Sequence, residues 1–383
     1  MLYLALKMLI GDRSKYIGIV IGLSFAAFII TQQSAILVGI VNRTFGFVTD
    51  TSHANIWVAD PTMLYIDDIK PMKDTALYRV RSVEGVEWAV PMYKGLIQAR
   101  LTSGTFQQCI LIGIDSSTLI GGPPIMLEGK VENLRDTDAV IVNKVGAETK
   151  LATTTPSGTV PLRVGEIMEL NDHRACVVGI CEVSRTFQSQ PVIYTTYDRA
   201  TSFVPSQRKL LSFVVARSKP GYDPHEVCER IRAVTGLGAH TNSELKGLTV
   251  QYYMKYTGIF INFGVAIILG FIIGTAVAGQ TLYNFTIDNL PYFAVFKAMG
   301  ANNSLLRSMV LLQAFYVSLI GWGIGMGMAS LFAFLTRSTE LSFSLPLSLY
   351  LLSVASILTI CLVSALVCIR RVLKVDPAIV FKS

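Results

Sequence analysis

The sequence predicts a membrane protein with four transmembrane helices and a large α+β extracytoplasmic domain between spans 1 and 2. Three observations carry that prediction. First, the 383 residues are 51% hydrophobic and only 15% charged, with a mean hydropathy of +0.50, whereas soluble domains carry about 25% charged residues. Second, residues 17–41, 256–287, 308–336 and 341–369 contain no Asp, Glu, Lys or Arg, and about 20 apolar residues cross a bilayer as a helix. Third, residues 42–252 regain charge, Pro and Gly at intervals and hold no run long enough to span.

In chain order, residues 1–15 predict an amphipathic helix on the cytoplasmic face. Leu2, Leu6, Leu9 and Ile10 share a face, followed by Lys7, Arg13 and Lys15. A signal peptide is disfavoured, because the next run is too long for an h-region and lacks a small-x-small cleavage site. Span 1 covers 16–41, and Gln32, Gln33 and Ser34 within it are expected to face other helices. In the domain, Asn55–Pro61 reads as strand and turn, and Asp74–Glu84 as a helix with Leu77, Val80 and Val83 on one face, stopped by Gly85. Residues 86–93, 95–101 and 107–114 read as three strands. Short β segments follow to about 205, then a strand at 212–216 and a helix at 223–235 with Val227, Ile231 and Val234 inward. The order suggests an α+β module carrying an inserted β-rich subdomain at about 102–205.

Residues 253–287 read as a stalk running into span 2, and 288–304 as a short cytoplasmic helix. Span 3 covers 305–336, an outer loop 337–346, span 4 347–369, and a basic tail 370–383. Gly321, Gly323, Gly325 and Gly327 give two overlapping Gly-xxx-Gly spacings, read as close packing within the bundle. Loop charge sets the orientation. Lys7, Arg13, Lys15, Lys297, Arg307, Arg370, Arg371, Lys374 and Lys382 fall on one side, against Arg337 and Glu340 on the other. The positive-inside rule places both termini in the cytoplasm and the large domain outside.

The composition also excludes. The net charge of +7 comes without an Arg/Lys cluster interleaved with aromatics, which argues against nucleic acid. Spans without ionisable groups argue against an ion-coupled transporter, a channel or an intramembrane protease. No P-loop motif is present, so no ATP site is expected in this chain. His53, His173, His225 and His240 are scattered, no Ser/His/Asp constellation can be assigned, and no metal or cofactor site is expected. Cys109, Cys176, Cys181 and Cys228 lie in the domain predicted to be extracytoplasmic, where one disulfide among them and buried free thiols are equal options.

Two stretches resemble the MacB/FtsX-type ABC permeases, the type VII or mechanotransmission family. Tyr292-Phe-Ala-Val-Phe-Lys-Ala-Met-Gly-Ala looks like the family's coupling segment E-I-A-V-L-K-A-L-G-A. Arg370-Arg-Val-Leu-Lys-Val-Asp-Pro-Ala resembles its closing R-x-x-x-x-x-x-P-A. The N-terminal helix Leu4-Ala-Leu-Lys-Met-Leu and the domain between spans 1 and 2 match as well, and Asn55-Ile-Trp-Val with residues 77–91 is most similar to DevC-like members. Tyr292 stands where the family carries an acidic residue, and Asn289 and Pro291 where its approach is more basic.

The resemblance implies a porter-like outer module, a homodimer, and a separate ABC ATPase that holds ATP-Mg. It also implies a periplasmic adaptor, an outer-membrane channel and a bacterial inner-membrane location. By the same resemblance, Tyr292, Phe293, Val295, Phe296, Lys297, Met299 and Gly300 form the ATPase-coupling segment. Phe293, Val295, Phe296 and Met299 are its expected docking face, and Gly300 its helix stop. The alternatives are an FtsX-like mechanical regulator of an extracytoplasmic hydrolase or signalling partner, a membrane-anchored sensor without an ATPase, and an outer-domain enzyme.

Overall fold

The computed structural model describes residues 2–101, 104–155, 158–204, 211–337 and 339–374. The chain divides into two compact units: residues up to Ile40 with those from Gly258 onward, and residues Val41–Thr257.

Helix α1 (Leu2–Gly11) leads into α2 (Arg13–Thr44), and a short α3 (Gly46–Asp50) follows. The domain then runs β1 (Ile56–Ala59), α4 (Thr75–Arg81), β2 (Val86–Arg100), β3 (Phe106–Ile114), β4 (Ile125–Glu128), β5 (Ala139–Asn143), α5 (Lys144–Glu148), β6 (Thr153–Thr155) and β7 (Gly158–Val160). It continues through β8 (Ile167–Leu170), β9 (His173–Glu182), β10 (Val192–Thr196), α6 (Tyr197–Phe203), β11 (Phe213–Ser218), α7 (Pro224–Thr235), β12 (Gly238–Thr241) and α8 (Asn242–Tyr256). The remaining helices are α9 (Ile259–Asp288), α10 (Leu290–Ala298), α11 (Asn303–Leu335) and α12 (Leu347–Leu373).

Helices α2, α9, α11 and α12 are long and apolar enough to cross a membrane. α2 is the most enclosed of the four: 61% of its most apolar window is buried, against 11%, 33% and 44% for the others. Small residues bring the backbones together, as expected where lipid removes the hydrophobic drive for association. A Cβ on Gly325 of α11 would stand 2.5 Å from the Ala27 Cβ of α2, and one on Gly321 2.6 Å from the Leu23 Cβ. Gly323 and Gly327 have nothing within 4 Å. One of the two Gly-xxx-Gly spacings is therefore the seat of α2, and the other faces open space.

α1 packs on the same bundle. Ala5 and Leu9 are fully buried, and the buried Gln313 side chain of α11 donates to the Ala5 carbonyl at 2.7 Å. Ile10 is exposed, so the packed face is centred on Ala5 and Leu9, not on Leu9 and Ile10 as the spacing suggests. The reason is the neighbour: α1 lies against α11, whose Gln313 reaches the Ala5 carbonyl.

In the domain, β12-β1-β11-β2 form an antiparallel sheet. α4 and α7 cover one face through Val80, Val227 and Ile231. The other face buries Trp57, Phe213 and Met92 with Val48 of α3 and Leu245 of α8. α7 starts with an Asp223 N-cap and Pro224 and ends at Gly236 in the left-handed region, φ 68°. Val234, expected inside, is 66% exposed, because Cys228 takes the third inward position beside Val227 and Ile231.

β2 is the main departure from the sequence reading. Residues 86–93 and 95–101 are one strand of 15 residues, not two. Val86–Met92 pairs with β11, and Tyr93–Arg100 pairs with β3. The strand thus serves both halves of the domain. β2-β3-β10-β5-β9-β8 then closes a circuit, because β8 pairs with both β9 and β2. Ile97, Leu111, Val140, Val177 and Ile193 form its core, with α5 and α6 supplying Ala147 and Phe203. The β-rich subdomain therefore begins at Tyr93, inside a strand, and not at about 102. Gly95 read as a break only because Gly is rare within strands.

The expected stalk-and-span element 253–287 is also divided. α8 opens with a capping box, in which Thr241 accepts from the Glu244 backbone and Glu244 accepts from the Thr241 backbone. It stops at Tyr256, Thr257 is extended, and α9 restarts at Ile259. By contrast, α2 runs unbroken across residues 40 and 41, where the two units meet in the chain.

The glycine contacts give a prediction. Gly325→Leu should lower the midpoint of thermal unfolding of the purified protein, by an overpacking cost of about 1–3 kcal/mol. Gly323→Ala should leave it unchanged or raise it, by up to about 1 kcal/mol of helix propensity. A Gly323 variant as damaging as the Gly325 variant would contradict the packing described.

Candidate coupling site

The segment 289–303 contains the short helix α10, as the sequence reading expects. Pro291 near the start of α10 fits the first turn, where its missing N–H is not needed. Asn289 is the shared residue between α9 and α10, and its side chain donates back to the Phe285 carbonyl at 2.8 Å. Gly300 takes φ 92°, and its N–H reaches the Lys297 carbonyl at 3.1 Å, which terminates the helix. Asn302 then caps α11 through the Leu305 N–H at 2.9 Å.

Besides Gly300, the six residues singled out by sequence divide into two sets. Phe293 is 1% exposed and belongs to the buried cluster that holds Phe285, Leu306 and Cys368. Phe296 packs half-buried against that cluster. The Lys297 ammonium donates to the Leu373 carbonyl at the end of α12, at 3.1 Å. These three side chains fix α10 to the bundle. Tyr292 is 60% exposed, Val295 38% and Met299 68%. They stand three and four residues apart, so they share the opposite face.

The expected docking face of Phe293, Val295, Phe296 and Met299 is thus corrected. Phe293 and Phe296 point into the bundle, and the exposed apolar face is Tyr292, Val295 and Met299. Alternation of aromatic residues around a helix shows that it has two apolar faces. It does not show which one the following helix takes.

A further contact lies beside α10. Lys15 at the start of α2 bonds Asp12 at 2.9 Å and also pairs with Asp288, the last residue of α9. Sequence reading missed this pair, since 273 positions separate its members. Exposed pairs of this kind add little stability, but this one joins the ends of two spanning helices where α10 begins. In the tail, Arg371 lies 5.9 Å from the Tyr283 ring centre. The motif's Asp376, Pro377 and Ala378 lie outside the described residues.

The domain's four cysteines are all free, so no disulfide forms among Cys109, Cys176, Cys181 and Cys228. Cys109, Cys181 and Cys228 lie in three different buried clusters. Cys176 and Cys181 sit on one strand, β9, paired to opposite ends of β5. Burial pushes the thiols of Cys109, Cys181 and Cys228 up to about 12. Among the described residues no three His, Cys, Asp or Glu side chains group as metal ligands.

Two family profiles match this architecture. "MacB-like periplasmic core domain" matches residues 17–234 and "FtsX-like permease C-terminal" matches residues 264–377. The chain belongs to the MacB/FtsX-type ABC transporter permeases. It is 23% identical over 319 residues to an uncharacterized ABC transporter permease of Mycobacterium tuberculosis H37Rv, covering 81% of this chain and 79% of the relative. An uncharacterized ABC transporter permease of Mycobacterium bovis is 25% identical over 227 residues, covering 59% and 60%. Among solved structures, the periplasmic region of MacB from Actinobacillus actinomycetemcomitans aligns at 10% identity and TM-score 0.38, over 56% of this chain and 96% of that one. The extracellular domain of YknZ from Gram-positive bacteria aligns at 13% and 0.35, over 49% and 98%.

Two predictions follow from the burial differences. Phe293→Ala should destabilise the purified protein by about 3–5 kcal/mol through a core cavity, while Tyr292→Ala and Met299→Ala leave its unfolding midpoint within error. In the folded protein at pH 7.5, a maleimide should label Cys176 before Cys109, Cys181 or Cys228, because the thiolate is the reactive form. Mass spectrometry before and after denaturation checks this.

Proposed function

We propose that this chain is the non-catalytic permease subunit of an ABC exporter. A separate ABC ATPase, holding ATP-Mg, docks on α10 from the cytoplasm, and its motion is passed to the domain between the first two spans. The observation that carries the reading is the apolar face of Tyr292, Val295 and Met299 on a helix otherwise clamped to the bundle. Solvent-exposed apolar side chains grouped on one short helix suit a partner surface. The clamp gives the docked helix leverage: Asn289 connects it to α9, Asn302 to α11, and Lys297 to α12.

The loop-charge asymmetry supports cytoplasmic termini and a periplasmic domain in a bacterial inner membrane. Of the two chain connections to the domain, α2 is a continuous helix and suits transmission of force. The interruption at Thr257–Gly258 suits a joint. A homodimer working with a periplasmic adaptor and an outer-membrane channel completes the reading. The second reading, a mechanical regulator of an extracytoplasmic hydrolase or signalling partner, uses the same coupling and differs only in what the domain meets.

The test is co-purification from native membranes. The wild-type chain should bring down a P-loop ATPase. A Tyr292→Ser/Val295→Ser/Met299→Ser triple variant should lose most of it, by about tenfold or more if each side chain contributes as a central interface residue. An ATPase retained by the triple variant would move the docking site elsewhere, and its absence from the wild type in several mild detergents would favour the sensor reading. A co-purifying adaptor would favour export over regulation.

A further inference from the structure

The domain holds a pocket of about 450 Å³ that the coupling reading leaves unused. This is the size range of small-molecule sites. One wall is the outer face of β2, β3 and β10, with Leu96, Ile110 and Ile112. Opposite stand Phe47 of α3 and Tyr252 and Tyr253 of α8, and residues 183–190 border it.

Three features distinguish it from a packing gap. The first is a set of aromatic rings. Tyr65 stacks on Tyr252 at 4.1 Å between ring centres, and Phe187 meets Tyr253 at 5.3 Å. Leu96 is 47% exposed, an apolar side chain standing open on a strand.

The second is a buried cation. Lys94 is 6% exposed, its ammonium pairs with Asp67, and it lies 4.6 Å from the Phe47 ring centre. A charge is costly to bury unless paired, and Asp67 supplies the pair. Arg43 and Arg185 also line the pocket, giving three cationic side chains against Asp50 and Asp67. Asp67 is engaged by Lys94. Both oxygens of Asp50 are taken by Ser184, from its N–H at 2.9 Å and its hydroxyl at 2.8 Å, and burial raises the Asp50 carboxyl above its usual range. Three cationic side chains against two carboxylates leave the lining with an excess of positive charge.

The third is a braced border. Segment 183–190 is held by Asp50, by Arg43 donating to Ser189 at 3.3 Å, and by Gln190 donating to Gln108 at 3.1 Å. These bonds keep the pocket's shape in the absence of a ligand. Arg43 sits in the last turn of α2, the helix that carries the first candidate span.

We propose that this pocket binds a single-chain anionic amphiphile of the fatty-acid class, its chain along Leu96, Ile110 and the tyrosines and its carboxylate at Lys94 and the arginines. The inference goes beyond the coupling reading and needs no ATPase, so failure of either leaves the other standing.

The test uses the full-length protein in a mild non-ionic detergent with a diazirine-bearing palmitic acid as probe. Crosslinks are mapped by mass spectrometry. Peptides covering residues 43–50 and 183–190 should be labelled. Leu96→Trp, which fills the pocket from an exposed position, and Lys94→Met, which leaves Asp67 at a half-open site, should each cut that labelling about tenfold, the order expected for losing one charge-assisted contact or the cavity itself. Labelling of α9 and α12 serves as the internal control and should not change. The methyl ester of the probe should label the pocket far less than the acid. Equal labelling by acid and ester, labelling confined to the spans, or labelling that persists in both variants would overturn the proposal. The acid–ester comparison on the wild-type chain decides it even if a variant fails to fold.

Discussion

The bundle depends on how closely α11 and α9 approach α2. Gly321 and Gly325 seat on Leu23 and Ala27, and Gly274 of α9 lies where a Cβ would come within 2.6 Å of Ala26. α2 is enclosed because its neighbours remove their own side chains at the contact. In lipid this matters more than apolarity, since the tails surrounding the helices are as apolar as the helices. With α2 held, the remaining polar contacts fall into place around it: Thr31 with Ser353 at 2.7 Å, and the Trp322 ring N–H donating to Ser353 at 3.2 Å. Neither pair would be worth burying in hydrocarbon without a fixed partner.

The domain obeys a different constraint, the continuity of β2. Its first half completes a four-stranded antiparallel sheet, and its second half opens the closed circuit of β3, β10, β5, β9 and β8. Two subdomains built on one strand share hydrogen bonds across their boundary, so they cannot rotate freely as two domains on a linker would. The return path is short as well, since Met72 bridges to Leu211 and Ser212 bonds the Lys94 backbone in both directions. The pocket sits against this seam. Lys94 and Leu96 lie just past the point where β2 changes partners, from β11 to β3.

How much of this the sequence carried differs by element. The four spans, the α+β class and the α7 helix were legible because each rests on a local signal: an uncharged run, a period, a cap. The coupling segment was legible as a short apolar helix, and Gly300 as its end. Which of its faces packs inward was not, because Phe293 and Tyr292 are both apolar enough for either role and only α11 and α12 decide. β2 was divided at Gly95 because a glycine in a strand looks like a turn until its partner strands are known. Lys15 and Asp288 are adjacent only in the folded bundle. The free thiols follow from the topology, which assigns Cys109, Cys181 and Cys228 to separate cores, and spacing along the chain holds no trace of that.

The two ends of α2 show why these pieces work together. At one end Lys15 pairs with Asp288, the last residue of α9; at the other, Arg43 braces the border of the domain pocket through Ser189. Between them lie 27 residues of unbroken helix, Tyr16–Asn42, without a formal charge. A helix resists compression along its axis because each turn is closed by its own hydrogen bonds, and glycine packing leaves it little room to bend. In the coupling proposed above, α2 is the continuous connection between bundle and domain, and the exposed Lys15–Asp288 pair adds little of its own. By contrast, the other connection is broken at Thr257–Gly258, where α8 ends and α9 begins.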